Sequence, residues 1–213
     1  DPPVWADQNR VFLSTTQLML RQVFSQMWVL PPFQREAIWP ADKQVAFCNT
    51  VRAGLPTAPI LVWNRFVPGR GTTSIVIDGQ QRLTALGARV IRADGTPNPE
   101  TQAFLNLITG QFSTDPGRWP IRAKDVVTLK YATYREQLDT LLARGDIAGH
   151  DYWHNAIFAA DQISNRAINV HCIDCEASPQ FVMDAFRAIN QPGVPLEEAY
   201  MERLIMAATD FTG

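Results

Sequence analysis

Asp78-Gly79-Gln80-Gln81-Arg82 is the stretch of this chain whose residue types and spacing are best suited to chemistry. Ile75-Val76-Ile77 runs into it as a strand, and Leu83 and Leu86 continue it on one face of a helix. The polar residues therefore sit on a strand-to-helix turn, with the helix expected to begin at Asp78 or Gly79. The first turn of a helix presents unpaired N–H groups and the positive end of the macrodipole, which suits an anion such as phosphate. Gly79 has no Cβ and lets a ligand approach the backbone. Arg82 adds a permanent charge in a planar fork that matches phosphate oxygens. The same spacing is also that of a capping box, in which Asp78 accepts from the main chain of Gln81 and Gln81 reaches back. Capping and ligand binding are compatible, and two glutamines plus an arginine exceed what a cap needs.

A second polar group lies in Pro31-Pro32-Phe33-Gln34-Arg35-Glu36-Ala37-Ile38-Trp39-Pro40. The double proline fixes an extended backbone, so this stretch reads as a stiff loop. Polar groups held in such a loop are positioned at low entropic cost. Phe33 and Trp39 read as aromatic anchors to the core; Gln34 and Arg35 are the functional candidates.

The elements that must position these groups can be read from pattern. Residues 15–25 read as a helix and 27–30 as a short strand. Residues 42–52 form an amphipathic helix with Val45, Ala46, Cys48 and Val51 on its apolar side, Cys48 being a buried small hydrophobe rather than a nucleophile. Residues 60–63 and 73–77 are strands joined by a flexible hairpin tip at 64–72. The Asp78 turn thus lies at the C-terminal end of a sheet strand, where ligand sites cluster in α/β structures. Residues 94–100 and 113–120 read as loops around a short apolar element at 104–108. A strand is expected at 126–130, and helices at 134–143 and, behind an Asp151 cap, at 152–163. The whole of 94–163 reads as an insertion on a single domain spanning 1–213.

Residues 167–173 read as a strand, and Ser178-Pro179 starts a helix by its preferred first residues. That helix carries Phe181, Val182, Ala185, Phe186 and Ile189 on its apolar side. Asn190 at its end either caps it or turns its amide towards the site. Beyond it come a proline-rich turn and a last helix at 196–208. His171 and Cys172 point to opposite faces of their strand, and no second pair of ligands exists, so a zinc site is not expected.

Composition narrows the class. At 213 residues with 46% hydrophobic and 19% charged content, the chain suits one generous globular domain. It has no run of 18 apolar residues, so no membrane span is expected. Asp1-Pro2-Pro3 without an initiator Met reads as a processed or trimmed product. Three cysteines, an odd number, point to reduced thiols and a cytoplasmic setting. A formal net charge of −2 argues against a dedicated nucleic-acid binder, since a wide grip on phosphates needs a basic face.

Three blocks carry a family resemblance: Leu30-Pro31-Pro32-Phe33-Gln34-Arg35 with Trp39; Ile77-Asp78-Gly79-Gln80-Gln81-Arg82-Leu83-Thr84; and Phe186-Arg187-Ala188-Ile189-Asn190-Gln191-Pro192-Gly193-Val194-Pro195-Leu196. In order and content they resemble the N-terminal domain of GmrSD-type modification-dependent restriction systems, within the ParB/sulfiredoxin-like superfamily. The resemblance covers about 15–92 and 165–208. It implies an α+β fold with a small mixed sheet surrounded by helices, and a pocket for an NTP (ATP, GTP or CTP) with Mg²⁺. Gln34, Arg35, Gly79, Arg82, Thr84 and Asn190 would line that pocket. It further implies coupling to modified DNA and a possible companion nuclease subunit. Two features depart from the pattern: Glu36-Ala37-Ile38 replaces the usual aromatic after Gln-Arg, and there is no His-Asn-His nuclease module.

Phosphoryl chemistry on the bound NTP is then the leading expectation, because such catalysis is mostly positioning and charge neutralisation. Arg35 and Arg82 would clamp phosphate oxygens, and Asp78 would hold the metal or orient the nucleophile. Gln80 or Gln81 would position a water or an acceptor hydroxyl, and Glu36 is the candidate general base. Water as acceptor makes an NTPase; a hydroxyl, such as that of a hydroxymethylated base in DNA, makes a kinase. The alternative is a non-catalytic module in which nucleotide or modified DNA sets a conformation. A cysteine nucleophile is least favoured, since no cysteine lies in the three blocks.

Overall fold

The structure is a computed structural model and describes residues 12–31, 39–67, 71–92, 94–106, 109–117, 120–128, 136 and 139–190. Its strands are β1 (Leu13–Met19), β2 (Trp28–Val29), β3 (Ile60–Val67), β4 (Gly71–Asp78), β5 (Val90–Ile91), β6 (Phe104–Asn106), β7 (Gln111–Ser113) and β8 (Ala167–Ile173). The helices are α1 (Leu20–Ser25), α2 (Ala41–Arg52), α3 (Gln80–Leu86), α4 (Ala123–Thr128), α5 (Ile147–Ser164) and α6 (Pro179–Asn190). Six strands form one mixed sheet in the order β1-β8-β3-β4-β2-β5, and β6 and β7 make a separate hairpin. This is the expected α+β fold.

Strand direction is what matters for the site. β2 runs parallel to both β4 and β5, with Val29 opposite Ile75 and Ile91. The chain leaving β2 and the turn leaving β4 therefore emerge at the same end of the sheet. β3 runs antiparallel to β4, and β8 runs parallel to β3.

Alternation along β3 and β4 splits the apolar side chains between two faces. Ile60, Val62 and Val76 join Leu20, Val23, Cys48, Val51 and Leu83 in the larger core, under the helices of the first two thirds of the chain. Leu61, Trp63, Ile75 and Ile77 face the other way and are covered by Val182, Met183 and Phe186 of α6. Several buried residues of 94–163 share the larger core with the sheet: Ala103, Leu105, Ile121, Ala123, Val126 and Ile163.

Several elements differ from the sequence expectation. The first half of the helix expected at 15–25 is β1, which pairs antiparallel with β8 over its whole length. Edge pairing with a buried strand satisfies its backbone, and Thr15 and Thr16 suit a strand. The strand expected at 126–130 overlaps α4, where Val126 is buried and the Asp125 carboxylate accepts the N–H of Arg122 at 3.0 Å; a capped start outweighs two β-branched residues. The helix expected behind Asp151 begins one turn earlier, with Asp146 as its cap accepting from Gly149 N–H at 3.0 Å. The 64–72 tip is shorter than expected, because β3 and β4 stay paired out to Val67 and Gly71. The expected helix at 196–208 lies outside the described residues.

Candidate functional site

The site is built on the last residues of β4. Pairing between β3 and β4 slips there: Leu61 stands opposite Asp78 while Val62 stands opposite Val76, leaving Ile77 as an extra residue. A bulge at this point bends the strand and re-aims the residues after it. Gly79 comes next with φ +103° and forms the N-cap of α3. A Cβ on Gly79 would lie 2.9 Å from Ile60 Cγ1 and 3.2 Å from Ile60 Cα. Its glycine is thus required by backbone conformation and by packing on β3.

The expected capping box is not what these residues make. The N-cap of α3 is Gly79 rather than Asp78, and it has no side chain with which to cap the helix. Asp78 instead accepts from Arg82, with Nη2 to Oδ2 at 2.5 Å and the two side chains 30% and 13% exposed. Gln81 reaches out of the helix altogether: its Oε1 accepts the main-chain N–H of Trp39 at 2.8 Å. α3 spans seven residues, so its dipole is a small contribution to any anion affinity.

Gln81 thereby fixes the end of the proline-rich loop. At its start, Leu30 N–H donates to Ile91 O at 2.8 Å, and Leu30 is fully buried. At its end, Trp39 packs edge-on against Phe47 at 5.8 Å, and Lys43 lies 4.5 Å from its ring centroid. Trp39 is the core anchor its chemistry implied. Gln34, Arg35 and Glu36 lie outside the described residues, but the chain on both sides of them is held against β5 and α3. Asn190 ends α6, and its side chain lies outside the described set. The start of α6 is fixed at the opposite end of the sheet, where Trp63 Nε1 donates to Asp174 O at 3.1 Å and Ser178 Oγ caps Phe181 N–H at 3.2 Å.

Gln80 and Thr84 face a third segment. Gln80 Nε2 donates to Asn98 Oδ1 at 3.4 Å, and Asn98 Nδ2 donates to Thr84 Oγ1 at 2.5 Å. Thr84 Oγ1 donates to Gln80 O at 2.9 Å, and the residue is buried. Thr84 is therefore part of the frame of α3. Asn98, which carries no strong sequence signal, sits between two prolines, a setting that restricts its backbone.

The three cysteines differ in burial. Cys48 Sγ donates to Ala85 O at 3.2 Å, and burial pushes its thiol up to about 12. Cys172 is also raised by burial, while Cys175 is exposed. His171 Nδ1 is 2.8 Å from Thr15 Oγ1 across the β1–β8 pair. Among the described residues, no three His, Cys, Asp or Glu side chains form a group that could hold a metal. Asp78 offers one carboxylate. Its Oδ2 is engaged by Arg82.

These features define an α+β domain with a polar strand-turn-helix at the end of a mixed sheet, tied to a proline-rich loop. The chain matches the N-terminal domain of GmrSD restriction endonucleases over residues 18–201, and it belongs to that family. No curated protein matches it. Family membership links the chain to restriction of modified DNA and to a companion nuclease domain. Among the described residues, no helix is long and apolar enough to cross a membrane.

Proposed function

We propose that this domain binds an NTP with Mg²⁺ beside the Asp78–Arg82 turn and carries out phosphoryl chemistry, as an NTPase or kinase, in the service of a restriction system for modified DNA. The observation that carries this is the Gln81–Trp39 hydrogen bond. It ties the stretch containing Gln34, Arg35 and Glu36 to the turn containing Asp78 and Arg82. Arg82 would supply positive charge to a triphosphate held there, whose transfer is governed by positioning and charge neutralisation.

The Asp78–Arg82 pair has a role in this scheme. Arg82 Nε is buried with no hydrogen-bond partner among the described residues, a donor that a phosphate oxygen would satisfy. An incoming phosphate would draw Arg82 from Asp78 and release a carboxylate oxygen for the metal. Bound Mg²⁺ would neutralise charge on the phosphates. With Gln81 committed to Trp39, Gln80 is the better placed glutamine to orient a water or acceptor hydroxyl, and Glu36 remains the candidate base. The acidic balance of the chain leaves any broad DNA grip to a partner.

A second possibility is favoured by the same pair. Asp78 and Arg82 are paired at 2.5 Å, so ligand binding that merely opens them would make a sensor without turnover. Incubation with γ-labelled NTP and hydroxymethylated DNA separates the cases. Released phosphate marks an NTPase, label on DNA a kinase, and binding without either a sensing module.

A further inference from the structure

Resting on the nucleotide site proposed above, we infer that Gln44 is a positioning residue which couples the segment 98–103 to that site. Gln44 is a polar residue on the inward face of α2, 1% exposed. A buried amide is costly unless its nitrogen and oxygen both find partners, and here both do. Its Nε2 donates to Trp39 O at 2.9 Å and its Oε1 accepts Gln102 N–H at 2.9 Å, while Thr101 Oγ1 lies 3.2 Å from the same Oε1 and divides its one proton between that oxygen and Ala85 O.

The main chain of Trp39 is therefore gripped from both sides by glutamines. Gln81 of α3 takes its N–H, and Gln44 of α2 takes its carbonyl. Thr101 closes the circuit: its Oγ1 also lies 2.6 Å from Ala85 O on α3, and accepts Ala103 N–H at 3.1 Å. Three residues further back, Asn98 bonds Gln80 and Thr84 on the same helix. One segment of the chain thus touches both supports of the site, α3 directly and Trp39 through Gln44. Satisfied buried networks of this kind rigidify what they join and have few alternative arrangements. A change in the position of 98–103 must move Gln44, Trp39 and α3 together or break buried hydrogen bonds.

Thr101 touches neither Trp39 nor any proposed ligand group, so it is the discriminating position. Hydrogen exchange at the Trp39 amide is followed in the wild type and in Thr101→Val, Gln44→Met and Thr101→Ser, at matched fractions of folded protein. Coupling predicts at least tenfold faster exchange at Trp39 in Thr101→Val and Gln44→Met, with Thr101→Ser restoring wild-type protection because it keeps the hydroxyl. It also predicts that Mg-NTP stabilises Thr101→Val less than it stabilises Thr101→Ser. Unchanged Trp39 protection in Thr101→Val or, where that variant does not fold, in Gln44→Met overturns the inference and leaves a simple polar core cluster. If the wild type shows no response to any NTP, the nucleotide proposal falls while the exchange result still decides the coupling.

Discussion

Gln81 Oε1 accepts the main-chain N–H of Trp39 at 2.8 Å, across 42 positions of sequence. This one contact joins the turn at the end of β4 to the loop after β2. Parallel pairing of those strands brings the two segments to the same end of the sheet, and the hydrogen bond fixes their spacing. Gln81→Leu removes the acceptor and leaves a part-buried N–H without its partner, which costs about 1–3 kcal/mol. Chemical denaturation should show that loss, and NTP-induced stabilisation should fall with it. Unchanged stability and unchanged ligand response would mean the contact positions nothing.

Asp78 and Arg82 should behave as a coupled pair with different consequences for ligand. Arg82→Ala is expected to abolish NTP-induced thermal stabilisation. Asp78→Ala is expected to stop turnover while some binding remains, because Arg82 is then available to phosphate. A double-mutant cycle on folding stability should give a coupling of about 0.5–3 kcal/mol. Strictly additive effects, with equal loss of binding in both single variants, would contradict the assigned roles.

Gly79→Ala tests whether the turn is set by its backbone. The residue has φ +103° and no room for a methyl group beside Ile60. The variant should lose at least about 1–3 kcal/mol. A neutral result in urea unfolding would mean that β3 and the turn can move apart, and the close packing would lose its significance.

Cys48 gives a pH signature. Burial raises its pKa from 9.0 to about 12, so above pH 9 the unfolded chain releases a proton that the native state keeps. Its contribution is intact below pH 9 and is lost as pH rises towards about 12, on the order of 3–4 kcal/mol in all. Unfolding midpoints at pH 8, about 9.5 and about 11 should therefore fall more steeply in the wild type than in Cys48→Ala. Under native conditions a thiol reagent should modify exposed Cys175 readily and spare Cys48, with NTP binding intact. Identical pH slopes, or activity lost on alkylation of Cys175, would reopen a role for the thiols.

The strand-turn-helix around Asp78 was legible because β-branched residues, Asp-Gly and a helical repeat of leucines all point to the same local structure. The α6 face was legible for a similar reason, through the spacing of Phe181, Val182, Phe186 and Ile189. What could not be read was set by distant partners. β1 is a strand because β8 lies beside it, and α4 is a helix because Asp125 caps it while Val126 reaches the core. Asp78 and Gln81 fit a capping box on spacing alone. Arg82 and the Trp39 amide compete for them and win, since a charged partner and a part-buried N–H make stronger demands than a helix end. Gln44 and Asn98 had no local signal beyond a polar residue on a helix and an asparagine between prolines. Their meaning lies in contacts 5 to 58 positions away.

The most direct test is a crystal structure soaked with Mg²⁺ and ATP, GTP or CTP in turn. A bound triphosphate is expected between Arg82 and Arg35, with Asp78 turned from Arg82 towards the metal. A nucleotide bound elsewhere, or a site where those guanidinium groups face opposite sides of the molecule, would contradict it.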